Sequence, residues 1–195
     1  MKITFGGNPL TVTGTQVKVG DNALDFTLLK NDLSTSTLEE YKGKVKVLNI
    51  VPSLDTGVCD AQTRRFNEEL KNREDVVVIT ISNDLPFAQA RWCGNAGLPS
   101  AITLSAHKDE VFGNDYGVLI EELRLLSRTV LVLDENNVVT YIDYVKEVTD
   151  HPNYDSVLAL LNRWLKKHLQ ICKCFFNHKI IMLIIASVYD DHTER

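Results

Sequence analysis

The chain has no long block of lysine and arginine, and its 21 basic residues are outnumbered by 26 acidic ones, for a net charge of −5. A nucleic-acid backbone calls for a basic face, so that class of partner is disfavoured. Apolar runs of membrane length are missing too. The longest near a terminus, Ile180 to Val188, falls well short of the roughly 20 residues that a spanning helix needs. The opening stretch, Met1 to Gly7, has one lysine followed by strand-like residues, without the apolar centre of an export signal. These gaps lead us to expect a soluble, cytoplasmic protein with no membrane partner. Internal repeats and low-complexity segments are absent as well. Cysteine is sparse: Cys59, Cys93, Cys172 and Cys174. A chain of 195 residues can bury one substantial core, with too little length for two comfortable domains. It needs no disulfide staples. In a reducing compartment, sparse cysteines are more often buried, metal-binding or catalytic.

What is present is a set of short apolar runs separated by helical patterns. Lys2 to Phe5 and Leu10 to Thr13 read as two strands around the turn Gly6-Gly7-Asn8-Pro9, a hairpin signal. Val45 to Val51, Val76 to Ser82 and Thr129 to Asp134 are nearly continuous apolar runs, as expected of strands buried on both faces. Val138 to Val145 follows after Asp134-Glu135-Asn136-Asn137, a tight hairpin connection by composition. Val58, Ala61, Phe66 and Leu70 suit one face of a helix, and Asp84 is placed to cap another that runs through Phe87, Ala90 and Arg91. Tyr154, Val157, Leu158, Leu161 and Leu165 form a further helical stripe, with Lys166 and Lys167 at its end. Strands joined through helices pair in parallel, and the late hairpin pairs antiparallel. The expected architecture is α/β, a mixed sheet flanked by helices, with an N-terminal β-hairpin. Thioredoxin-like folds share this plan, as do several other α/β folds.

Composition changes after His168. Residues 169–195 are aromatic and isoleucine-rich in a way the rest is not. The expected division is one domain over 1–168 and a C-terminal extension over 169–195. The extension is either an extra packed element or an appended segment. Cys172 and Cys174 with His168 and His178 invite a metal reading, but Cys-x-Cys with flanking histidines is weak at this spacing.

The informative cysteine is Cys59. It follows a buried strand and stands near the first turn of a helix, in Pro52-Ser53-Leu54-Asp55-Thr56-Gly57-Val58-Cys59. Unpaired backbone N–H groups and the helix dipole favour an anion there, and a thiolate is one. Asp55 or Thr56 can cap the helix. Thr56 also carries a hydroxyl within reach of the sulfur or of a bound oxygen. Pro52 stiffens the turn and can shield the sulfur from bulk water. The bland reading is a small buried hydrophobe, which is what a lone helical cysteine usually is.

Pro-x-x-x-Thr-x-x-Cys, filled by Pro52, Thr56 and Cys59, resembles the active-site motif of peroxiredoxins. The longer run PSLDTGVCDAQTRRFNEE resembles the bacterial thiol peroxidase subfamily, the atypical two-cysteine type. TFGGNPLTVTG, RWCGNAG, FGNDYGVLI and LLSRTVLVLD are similar to further blocks of that subfamily, in order, from about Lys2 to about Lys167. The resemblance implies a thioredoxin-like fold, Cys59 as peroxidatic cysteine and Cys93 as resolving cysteine. It also implies Thr56 and Arg128 as polar partners of the reacting oxygens and Pro52 as the shielding residue. Arg128 opens a buried strand, where an arginine is unusual without a partner; its bland alternative is a structural salt bridge to a glutamate. Cys93 has a bland alternative as well, a core cysteine at a helix end stopped by Gly94. Arg64 and Arg65 read as surface or helix-pairing residues.

The implied chemistry is reduction of hydrogen peroxide and organic hydroperoxides through a sulfenic acid and an intramolecular disulfide, recycled by thioredoxin, with no metal, flavin or haem required. The resemblance also implies a homodimer. A thioredoxin-type disulfide oxidoreductase would use Cys-x-x-Cys, and the residue three after Cys59 is Gln62. A non-catalytic redox sensor relaying its oxidation to a partner protein would use the same reactive cysteine, and turnover separates the two. A plain binding module would leave Cys59 chemically idle. Because a disulfide needs α-carbons within roughly 7 Å, thiols on two packed helices are expected to lie too far apart to bond until both segments open.

Overall fold

The computed structural model describes residues 1–166; the extension at 169–195, with Cys172 and Cys174, lies outside them. Chain order begins with β1 (Lys2–Phe5), β2 (Asn8–Thr13), β3 (Leu28–Leu29), β4 (Thr35–Ser36) and a 3-10 turn (Leu38–Tyr41). It continues with β5 (Val45–Ile50), α1 (Gly57–Leu70), β6 (Val76–Ser82), α2 (Pro86–Ala96), β7 (Ile102–Ser105) and α3 (Val111–Asp115). Then come β8 (Leu119–Ile120), β9 (Leu125–Leu126), β10 (Thr129–Leu133) and β11 (Val139–Tyr144). A last helix, α4, spans 154–166 and forms a separate unit, with Tyr154, Val157 and Leu161 as its buried face.

The main sheet runs β11-β10-β5-β6-β7-β3-β4. Its centre, β5-β6-β7, is parallel, and β10 and β11 add antiparallel on one side. Every residue of β5, β6 and β10 is buried, which is why these strands read as unbroken apolar runs rather than alternating ones. Leu48, Ile50, Ile79, Ile81, Leu104 and Leu131 join in the main core. A parallel centre puts the C-terminal ends of β5 and β6 on one edge. The segments leading into α1 and α2 therefore emerge side by side, and both helices carry a cysteine.

The small sheet β1-β2-β8-β9 holds the expected N-terminal hairpin. Its turn is tighter than the four residues expected. Gly6 and Gly7 both have positive φ, at 57° and 80°, as a two-residue hairpin turn matched to strand twist requires. Asn8 and Pro9 already pair with Phe5 and Thr4. The β10–β11 turn matches its composition: the Asp134 carboxylate accepts the amides of Asn136 and Val138 at 2.9 Å each. The two-residue strands β3, β4, β8 and β9 are too short to show periodicity. Among the described residues, no helix is long and apolar enough to cross a membrane.

The expected face of α1 is a correction. Ala61 is exposed and Val58 half-buried, while Cys59, Gln62, Thr63, Phe66 and Leu70 point inward. Two polar residues therefore sit on the buried face, and they belong to the site.

Candidate active site

After β5 the chain bends at the buried Pro52 and enters α1 at Gly57. Asp84, just beyond β6, ties this bend. Its carboxylate accepts Ser53 Oγ at 2.7 Å, the Leu54 amide at 2.8 Å and Ser82 Oγ at 2.8 Å. Asp84 is thus no cap for α2. The N-cap position there is Leu85, with Pro86 opening the helix, where its missing N–H costs nothing.

Thr56 is the N-cap residue of α1, in extended conformation, yet its hydroxyl bonds no helix amide. It lies 3.1 Å from the Ser53 carbonyl and 2.9 Å from Cys59 Sγ. One hydroxyl proton cannot serve both acceptors, and the sulfur is the nearer of the two. From the other side Arg128 Nη2 approaches Cys59 Sγ at 3.4 Å. Cys59 itself is fully buried, in the first turn of the helix where amides have no intrahelical carbonyl. An oxygen arriving at this sulfur meets a hydroxyl, a guanidinium and the positive end of a helix.

Arg128 is 2% exposed. It donates from Nε to the Val148 carbonyl at 2.9 Å and from Nη1 to Gln62 Oε1 at 2.5 Å. No carboxylate pairs with it among the described residues, so the salt-bridge alternative does not hold there. A guanidinium only donates, which fixes the direction of the bonds behind it. Gln62 accepts from Arg128 and donates to Asn49 Oδ1 at 2.6 Å. Asn49 in turn donates to Thr63 Oγ1 at 3.0 Å and Thr80 Oγ1 at 3.1 Å. Asn49, Gln62, Thr63 and Thr80 are wholly buried. A satisfied network of this kind rigidifies what it holds, and here it holds the arginine against the sulfur. Gln62 and Asn49 escaped the sequence reading. The available signal was spacing: Cys59, Gln62, Thr63 and Phe66 stand at i, i+3, i+4 and i+7 of one helix face.

Cys93 lies in α2 and is 4% exposed. Its sulfur is 3.6 Å from Thr103 Oγ1 and 3.9 Å from Asn31 Nδ2. Thr103 Oγ1 also donates to Asn31 Oδ1 at 3.1 Å, which leaves its oxygen as an acceptor beside Cys93. Cys59 and Cys93 are both free and share one apolar cluster with Val51, Leu54 and Trp92. Gly97, which ends α2, has φ of 70° and donates to the Cys93 and Gly94 carbonyls. Gly57 opens α1 and Gly94 lies inside the last turn of α2, so neither ends a helix.

Val148, whose carbonyl orients Arg128, sits beside Glu147. The Glu147 carboxylate accepts the Thr149 amide at 3.0 Å, the Thr4 hydroxyl at 2.7 Å and the Gly7 amide at 3.1 Å. These bonds hold its carboxyl well below the usual carboxylate range, the Thr149 amide contributing most. A folded-state pKa below the unfolded value gives stability that is present above the unfolded value, about 4.3, and lost as pH falls toward the folded one. Glu147→Gln should therefore lower Tm near neutrality and flatten the acid limb of Tm against pH below about 4.3. Thermal melts of both proteins from neutral to acid pH check this; parallel curves would mean that Glu147 holds nothing.

Among the described residues, no group of three or more His, Cys, Asp or Glu is placed to hold a metal. A family model described as Redoxin matches residues 18–158. A thiol peroxidase of Bacillus subtilis is 59% identical over 165 residues, covering 85% of this chain and 99% of the relative. One from Oceanobacillus iheyensis is 57% identical over 161 residues, covering 83% and 98%. Among solved structures, a peroxiredoxin-like protein from Aquifex aeolicus has TM-score 0.78 at 36% identity, covering 83% of this chain and 96% of that one. A thiol peroxidase from Chromobacterium violaceum has TM-score 0.78 at 26% identity, covering 84% and 96%.

Proposed function

Because the chain belongs to the Redoxin family, with a thioredoxin-like fold, and is a peroxiredoxin-type peroxidase, we propose that Cys59 is its peroxidatic cysteine, that Cys93 resolves the oxidised form, and that thioredoxin returns both to thiols. The observation that carries this is the convergence of Thr56 Oγ1 and Arg128 Nη2 on one buried sulfur, at 2.9 and 3.4 Å.

The Cys59 thiolate attacks the terminal oxygen of a hydroperoxide, an S–O bond forms and the O–O bond breaks. Cys59 becomes a sulfenic acid, and the departing alkoxide or hydroxide leaves as alcohol or water once protonated. Negative charge moves from sulfur onto the departing oxygen during this step. Donors already aimed at the sulfur need little rearrangement to follow it, which is where electrostatic preorganisation lowers a barrier most. Arg128 and Thr56 supply these donors, Gln62 and the Val148 carbonyl keep the arginine in place, and Pro52 limits water at the bend. Cys93 then attacks the sulfenic sulfur, giving a disulfide and water. A reduced thioredoxin opens that disulfide by exchange.

Hydrogen peroxide and organic hydroperoxides both fit the reading, as do a homodimer and a cytoplasmic setting, where thiols are kept reduced. The test is peroxide consumption with thioredoxin, thioredoxin reductase and NADPH. Many equivalents of peroxide per chain are expected. Consumption that stops near one equivalent would favour a sensor over an enzyme.

A further inference from the structure

Asp60 follows Cys59 directly in the chain, and Trp92 directly precedes Cys93. The side chains of these two neighbours are bonded to each other. Trp92 Nε1 donates to Asp60 Oδ1 at 2.9 Å, bridging the first turn of α1 and the body of α2. Arg64, one turn further along α1, reinforces the link from both sides. Its Nε lies 2.9 Å from both Asp60 oxygens, and its Nη1 donates to the Ala96 carbonyl at 2.8 Å. That carbonyl belongs to the last turn of α2, where helix carbonyls lack intrahelical partners and a cation is favoured. The Arg64 guanidinium also stands 5.7 Å from the centre of the Trp92 ring, a cation–π distance. Trp92 is 7% exposed and packs in the apolar cluster that contains both cysteines.

We propose that Asp60, Arg64 and Trp92 form a latch that holds the α1 and α2 cysteine segments closed and so sets how long oxidised Cys59 waits for Cys93. The proposal rests on Cys93 being the resolving cysteine. In the closed form both thiols are buried and free, and each sulfur has its own partners: Thr56 and Arg128 at Cys59, Thr103 and Asn31 at Cys93. At least one of the two sulfurs must leave these partners for a disulfide to form. Unwinding the last turns of α2 breaks the Arg64–Ala96 bond, and turning Trp92 out breaks its bond to Asp60. These bonds can form only in the closed state. They therefore lower the population of the opened state, and with it the rate of resolution.

The waiting sulfenic acid has two fates. Cys93 converts it to the disulfide with loss of water. A second hydroperoxide converts it to the sulfinic acid, the hydroperoxide being reduced to alcohol or water. The latch thus fixes the peroxide concentration at which the second fate overtakes the first. Asp60, Arg64 and Trp92 are positioning residues in this account: the hydrogen bonds to the reacting sulfur come from Thr56 and Arg128.

Trp92→Phe keeps an aromatic ring in the cluster and removes only the donor. Asp60 is not substituted, since changing a charge at the residue next to Cys59 would alter the field at the sulfur as well as the latch. With one equivalent of peroxide, quenched flow and mass spectrometry follow the loss of the Cys59 thiol and the rise of the Cys59–Cys93 disulfide. The first oxidation should be unchanged. Disulfide formation should be about fivefold faster, the size expected for the loss of one ordinary intramolecular hydrogen bond. The peroxide concentration that drives half of Cys59 to sulfinic acid should rise by the same factor. Arg64→Gln, on a side chain that is 36% exposed, carries the same expectations should Trp92→Phe fold poorly. Unchanged disulfide rates in both variants would overturn the latch. So would a slower first oxidation, because the cluster also walls a cavity of about 330 Å³ beside Thr56 and Gly57 and would then belong to the peroxide site. Failure of the underlying assignment looks different: the wild-type protein itself would form no Cys59–Cys93 disulfide.

Discussion

Cys59→Ser is expected to bring thioredoxin-coupled peroxide turnover down to background, a loss of at least about 10³-fold. Serine keeps the shape of the site and can accept the same hydrogen bond from Thr56. Its hydroxyl stays protonated at neutral pH, however, and it has no sulfur on which to take up oxygen. The residue is fully buried, so folding must be checked alongside: the far-ultraviolet circular dichroism should be unchanged. Turnover within tenfold of wild type would move the chemistry to another of the chain's cysteines. A complete loss with intact folding separates catalysis from a structural role for the thiol.

The second large effect belongs to Arg128. Arg128→Met retains much of the volume and removes the donor 3.4 Å from Cys59 Sγ. Losing one preorganised donor to developing charge typically costs about 10²–10³ in rate, and the second-order rate of Cys59 oxidation should fall by that factor. Stability should move far less. The substitution strands the Gln62 Oε1 acceptor and the Val148 carbonyl, but it also removes a buried charge, and the two effects oppose each other. Arg128→Lys should not restore the rate. A single ammonium on a flexible stem cannot reach Val148, Gln62 and Cys59 at once as the planar fork does. Stopped-flow oxidation of both variants measures this; rates within threefold of wild type would leave Arg128 a structural residue.

Thr56 and Cys59 were legible in the sequence because they sit in a compact motif, whereas Arg128, 69 residues further on, came only from the family resemblance. Thr56 and Cys59 are three apart, so a helix start alone brings hydroxyl and sulfur together. The buried strands were legible as well, since β5, β6 and β10 lie inside the sheet and carry apolar residues at nearly every position. The inward face of α1 was not. Apolar periodicity pointed to Val58 and Ala61, whereas the helix buries Gln62 and Thr63. Burying them is tolerable only because Asn49 and Arg128 satisfy them, and those partners come from β5 and from the residue just before β10. The same limit applies to Asp84, whose acceptors looked suited to α2 but serve the loop before Cys59. It also applies to Asp60 and Trp92, whose bond spans 32 residues. Local pattern carries backbone placement; pairing of polar side chains across the fold follows from topology, which a one-dimensional pattern does not express.

The most direct measurement is made on Cys93→Ser, where the oxidised intermediate has no intramolecular thiol to consume it. The protein is treated with one equivalent of hydroperoxide, trapped with a sulfenic-acid-specific nucleophile and mapped by mass spectrometry. The account predicts the adduct on Cys59, formed at the wild-type rate of first oxidation, with turnover through thioredoxin stopped. An adduct located elsewhere, or Cys59 still a free thiol after the peroxide is gone, would contradict it.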